Sequence, residues 1–177
     1  MTGAEAYGAD PIALIDAYWT SRTNDPLSAS WADAGNTMAK KEGAARSATA
    51  YLDATYGAYY IGVRKTQTQG LLWPRVSGKD DDGNLIPLTD ALGTEIPALP
   101  SQLIAAMAEL AARATSAPLV RDAERGGQVK SKKIGPLETE YMDGAPADRS
   151  FGIVAGILAS ILNGSQPRAQ SATWYWL

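Results

Sequence analysis

The sequence predicts a mainly α fold, a helical bundle of four to five helices with a small β-hairpin and an extended C-terminal tail. Three observations lead there. Apolar residues recur at helical spacing in several separate stretches, each opened by a capping residue or a proline. Between the third and the last of them the period changes to the alternation of strands. The 177 residues suit one core, and no repeat or composition shift divides them. The expected organisation is a single domain over residues 1–163, with the hairpin near 120–142, and a tail over 164–177.

In chain order, Asp10-Pro11 supplies an N-cap carboxylate and a proline at the first helical position. Ile12, Ile15 and Trp19 follow as one stripe, widened by Leu14 and Tyr18. Asn24-Asp25-Pro26 breaks that helix, and Ser28 to Ala34, carrying Trp31, fits one short helical turn. A second helix is expected from about Thr37 to Tyr56. Its apolar row is Ala45, Ala48, Leu52 and Tyr56; Lys40, Lys41, Glu42, Arg46 and Asp53 fall largely elsewhere, and Gly57 suits the C′ position. The small Ala-rich face implies close approach of a neighbouring helix.

Tyr59 to Arg75 reads as an ordered loop or short extended piece, because Trp73-Pro74 cannot sit mid-helix. A third helix follows Pro97 or Pro100, with Leu103, Met107, Leu110 and Ala114 in register and Glu109 and Arg113 paired i,i+4 on a polar face. Gln128–Ile134 and Leu137–Met142 alternate as strands. A turn at Gly135-Pro136 sets Lys133 opposite Glu138; a hairpin turning at Gly126-Gly127 is the alternative. A last apolar helix spans about Arg149 to Asn163 and stops at Gly164.

Composition narrows the function classes. Apolar residues make up 45% and charged residues 20%, as in an ordinary globular protein, and the net charge of −3 supplies no global field for nucleic acid. With no cysteine and no histidine, thiolate chemistry is excluded and the commonest general base and metal ligand are missing, so no enzyme and no cofactor are expected. The first residues carry no signal-peptide pattern, and the longest apolar run, Phe151 to Leu162, falls short of the roughly 20 residues of a membrane span, so synthesis in the cytoplasm is expected.

Each motif has a plain reading beside its functional one. Asp80-Asp81-Asp82-Gly83-Asn84 resembles a calcium loop, but with Gly83 in the glycine position Gly78 and Thr89 stand where anchoring carboxylates belong; the acidic turn is the better reading. Arg121, Arg125, Lys130, Lys132 and Lys133 could touch phosphate, yet Asp122, Glu124, Glu138 and Glu140 interleave with them, which favours a solvated hairpin or salt bridges. Trp19, Trp31, Tyr51, Tyr56 and Trp73 adjoin apolar periodic positions and read as core. The terminal Trp174, Tyr175, Trp176 and Leu177 end a polar stretch and read as an anchor buried in a partner, against the alternative of folding back on the chain's own core.

An ordered set of segments carries a family resemblance. These are Ile15 to Trp19, Trp31, Lys41 to Asp53, Gly62-Val63-Arg64, Gln69-Gly70-Leu71-Leu72-Trp73-Pro74-Arg75, Pro100 to Ala112, and Lys130 to Tyr141. Together they resemble the tailed-phage head-tail adaptor (connector or head-completion) proteins, some of which bear the label DnaT-like single-stranded-DNA-binding protein. The resemblance implies a structural ring subunit in a virion neck, of about twelve copies. It would dock on the portal protein and on the next neck or tail-completion protein, and double-stranded DNA would pass through the lumen. It assigns Gln69, Trp73, Pro74 and Arg75 to architecture and fits portal gripping to Trp174–Leu177. The Ala-rich helices and the hairpin would then be completed by neighbouring copies. The alternative is a single-stranded-DNA-binding replication-accessory protein, with Lys130, Lys132 and Lys133 as phosphate contacts.

Overall fold

A computed structural model describes residues 6–79, 82–83, 85–86, 99–119, 129–133, 138–141 and 151–163. Five helices dominate them: α1 (Pro11–Thr20), α2 (Pro26–Ala32), α3 (Met38–Tyr56), α4 (Ser101–Ala114) and α5 (Gly152–Leu158). Three two-stranded antiparallel pieces accompany them: β1 (Val63–Arg64) with β2 (Arg75–Val76), β3 (Gly78–Lys79) with β4 (Leu85–Ile86), and β5 (Val129–Lys133) with β6 (Glu138–Tyr141). The fold is mainly α, as the periodicity predicts.

The helix starts follow the capping chemistry. Asp10 accepts from Ala13 N at 3.0 Å, Asp25 from Leu27 N at 2.8 Å and Thr37 from Lys40 N at 3.3 Å, which satisfies amides that a helix start leaves without partners. Asp25-Pro26 therefore both ends the α1 connection and begins α2, two residues before the expected turn. Gly57 keeps a right-handed φ of −56° instead of the left-handed C′ conformation. It is glycine for space, because a Cβ there would meet Leu72 Cδ1.

Helix α4 is central and packs against α1, α2, α3 and α5. Leu103, Met107 and Leu110 are buried as the stripe predicts, and so are Ala106, Ala108, Ala111 and Ala112 from the rest of the circumference. The expected polar face is absent: Glu109 is only 3% exposed. Its carboxylate accepts from Arg113 Nη1 at 2.6 Å and from Tyr18 Oη at 3.0 Å, so the predicted i,i+4 pair forms inside the protein. Burial, then the Glu109 charge, pushes the Tyr18 hydroxyl up to about 12.

The Ala-rich face of α3 finds its neighbour within the same chain. Ala44, Ala45 and Ala48 are buried, and Thr49 Oγ1 lies 3.7 Å from Met107 Sδ on α4. Trp19, Trp31, Tyr51, Tyr56 and Trp73 are all core residues. Lys41 reaches Asp16 Oδ1 at 3.3 Å and lies over the Trp31 ring, whose indole N–H donates to the same Asp16 at 2.6 Å.

The last helix is shorter than predicted. After Leu158 the chain makes a 3-10 turn, Ala159–Ile161, and becomes extended at Leu162. It then pairs with the segment after α3: Ile61 N donates to Ile161 O at 3.2 Å and Asn163 N to Tyr59 O at 2.7 Å. Gly152 and Gly156 weaken the helix, and these tertiary bonds take its last turn. In the β5–β6 hairpin Lys133 stands opposite Glu138, as expected; a shift follows between Val129 and Ser131. The segments 134–137 and 164–177 lie outside the described residues.

Candidate functional site

The motif residues converge on the segment between α3 and β3. Arg75 is its organiser. Its Nε donates to Ile61 O at 2.8 Å, Nη2 to Gly62 O at 2.5 Å and to Tyr60 O at 3.2 Å, and Nη1 reaches Leu72 O at 3.5 Å. A planar fork with five N–H groups can hold several carbonyls together in this way, whereas an ammonium cannot. Gln69 braces the opposite side: its oxygen accepts from Thr66 N at 3.0 Å, and its amide nitrogen donates to Leu71 O at 2.8 Å and Pro74 O at 3.0 Å. Trp73 is buried edge-on to Tyr60 at 5.6 Å, and the Trp73–Pro74 peptide is cis. All four motif residues, Gln69, Trp73, Pro74 and Arg75, thus shape one loop.

Beneath the loop lies a polar cluster that the periodicity of α3 does not reveal. Asp53 is half-buried instead of solvated; it accepts from the Tyr7 hydroxyl and from Leu72 N at 3.1 Å. Burial raises the Asp53 carboxyl above the usual carboxylate range, against the pull of the Tyr7 and Leu72 hydrogen bonds and of Arg64 and Arg75. Burial also raises the hydroxyls of Tyr7 and Tyr60, and the Asp53 charge adds to both shifts. The Tyr60 hydroxyl and the Trp73 indole N–H are buried without a partner of hydrogen-bonding geometry among the described residues.

Gly62, at φ +72°, makes the turn into β1; a Cβ there would press on Val76 O and stand 2.8 Å from Gly78 N. That turn carries Val63 and Arg64 outward, where both are exposed. Val63, Arg64, Gln67, Leu72 and Arg75 surround a shallow pocket of about 540 Å³ with Gly57. The Arg75 guanidinium is lowered by burial and then by the neighbouring Arg64 charge. Two like-charged guanidinium groups therefore share one pocket wall, an arrangement suited to an anion.

A second pocket, of about 590 Å³, lies by the start of α1 and is lined by Asp10, Asp16, Glu42, Arg46 and Met38 among others. Three carboxylates against one guanidinium make it a poor anion site. The other sequence candidates are elsewhere. Lys130, Lys132 and Lys133 lie on β5, Lys132 opposite Thr139 and Lys133 opposite Glu138. Trp174, Tyr175, Trp176 and Leu177 lie outside the described residues. Of the acidic turn only Asp82 and Gly83 are described, with Gly83 in the left-handed region at φ +84°.

Sequence reasoning places Arg64 and Gly62 in a motif without giving them a role, and misses Tyr7, Asp53 and Tyr60. The signal for Asp53 is its place at the end of the Tyr51-Leu52-Asp53 segment that the motif includes; its burial depends on Leu72 folding back over it.

No curated protein and no solved structure matches the chain. One family, described as "Putative DnaT-like ssDNA binding protein", matches residues 2–173. That match overturns the expectation of a virion neck subunit, and with it the portal, the tail-completion partner, the ring and the passing duplex. A physical ground for the ring fails as well: the alanines of α3 that would await neighbouring copies are already covered by the chain's own core. The aromatic residues 174–177 lie beyond the match, which takes in everything else after the first residue, and the chain belongs to this DnaT-like family.

Proposed function

We propose that the protein binds single-stranded DNA and performs no chemistry on it. The family match over residues 2–173 carries the reading. The absence of histidine and cysteine from the sequence supports its non-catalytic half. With a net charge of −3, attraction to the phosphate backbone comes from local basic groups and not from the whole surface. The pocket rim with Arg64 and Arg75 and the lysines of β5 are such groups.

Fluorescence anisotropy of a labelled oligonucleotide at low and high salt tests this. Contact with about three phosphates gives a slope of log affinity on log salt near −2, so affinity falls about 16-fold between about 50 and 200 mM salt. Replacing Lys130, Lys132 and Lys133 together by alanine is expected to weaken binding and flatten that slope. Absence of binding by the intact chain at the lowest salt refutes the reading.

A further inference from the structure

We infer that the pocket between Arg64 and Arg75 is a phosphodiester-binding site, which takes one backbone phosphate of the single strand and reads no base. The inference rests on the single-stranded-DNA reading and gives it a location. Arg75 is held by carbonyls of Tyr60, Ile61, Gly62 and Leu72, so its positive charge is fixed in place and cannot swing into solvent. Carbonyl dipoles do not cancel that charge. The carboxylate nearby, Asp53, is engaged by Tyr7 and by Leu72 N and is held against the loop from beneath. Arg64, the cross-strand partner of Arg75 and so on the same face, is exposed, with no ion pair or hydrogen bond among the described residues.

The rest of the lining favours an anion over a base. Val63 and Leu72 are aliphatic and give no stacking platform, while Gln67 adds an amide donor. A phosphate seated there accepts from the exposed guanidinium of Arg64 and lies in the field of the fixed one, and its charge relieves the repulsion between the two. The loop motif thus does two jobs: Gln69, Trp73 and Arg75 build a rigid wall, and the turn at Gly62 leads into β1, whose pairing with β2 sets Arg64 beside Arg75.

The test compares the intact chain with Arg64→Ala, Arg64→Lys and Gln67→Glu in oligonucleotide anisotropy over a salt series, with thermal melts to verify folding. Arg64→Ala is expected to lower affinity roughly five- to tenfold at low salt and to make the salt slope shallower by about 0.7, one phosphate's share for a single strand. Arg64→Lys keeps the slope and recovers most of the affinity, because it keeps the charge and loses only the fork. Gln67→Glu, which sets a carboxylate on the pocket wall, weakens binding without touching either arginine. If the intact chain binds and the Arg64 and Gln67 variants match it in affinity and slope, the pocket assignment is overturned while the function stands. If the intact chain does not bind, both fall.

Discussion

Replacing Arg113 by methionine isolates a carboxylate inside the protein. Glu109 is 3% exposed on the helix that every other helix touches, and its oxygens have two partners, Arg113 at 2.6 Å and Tyr18 at 3.0 Å. Removing the guanidinium leaves one neutral hydroxyl to support a buried charge, a change that costs about 3–5 kcal/mol. In a protein of this length each kcal/mol lowers Tm by about 2–4 °C, so the melt falls by about 6–20 °C. Glu109→Met costs less, since Arg113 is 26% exposed and its charge can turn to water. The double variant Glu109→Met with Arg113→Met returns toward the wild type, because an apolar pair of similar volume needs no desolvation of charge. Urea unfolding of the four proteins gives the coupling energy directly. A loss below about 1 kcal/mol in Arg113→Met, the value of a solvated i,i+4 pair, refutes the burial of Glu109 and restores the polar face read from the sequence.

Two further outcomes follow from the loop. Gly62→Ala forces a side chain into the left-handed region with backbone on two sides, and unfolding measurements should find a loss of at least about 2 kcal/mol; a neutral result denies the turn. The raised carboxyl of Asp53 binds its proton more tightly in the folded state, so its contribution to stability is present below the unfolded carboxyl value and is lost as pH rises through the folded one. Wild-type stability relative to Asp53→Asn should therefore decline from about pH 4 upward, as read by denaturant midpoints across that range; a rise over the same interval contradicts the direction of the shift.

The helices were legible where local chemistry decides them. Asp10-Pro11 and the Thr37 hydroxyl start α1 and α3, and the stripes Ile12–Ile15–Trp19 and Leu103–Met107–Leu110 identify core faces because a period of 3.6 leaves one side dry. Lys133 opposite Glu138 was legible because hairpin register follows from turn length. Asp25-Pro26 carries the same start signal as Asp10-Pro11, but its neighbour Asn24 makes it read as a break.

What stayed hidden depends on residues far apart in sequence. An i,i+4 Glu–Arg pair looks the same on a wet face as on a dry one, and only the packing of Tyr18 and Phe151 around Glu109 and Arg113 distinguishes them. Asp53 looks solvated until Tyr7 and Leu72 close over it. The candidate site was half visible: its residues appear as a motif, but a motif does not say that Arg75 is tied to backbone carbonyls while Arg64 beside it stays exposed. The neck-adaptor expectation comes from the ordered motifs and is overturned by the family match; the ring it implied would have covered alanine-rich faces that the chain covers itself.

The strand-like pairing of Tyr60 with Leu162 joins positions separated by roughly a hundred residues. The loop that bears Arg64 is therefore translated well before the segment that backs it. Until then the clamp around Arg75 must form without the seam through Ile161 and Asn163 that steadies it. A truncation at Leu158 removes that seam and should loosen the loop that carries Arg64 and Arg75 more than it loosens the helices, a difference that amide exchange reads.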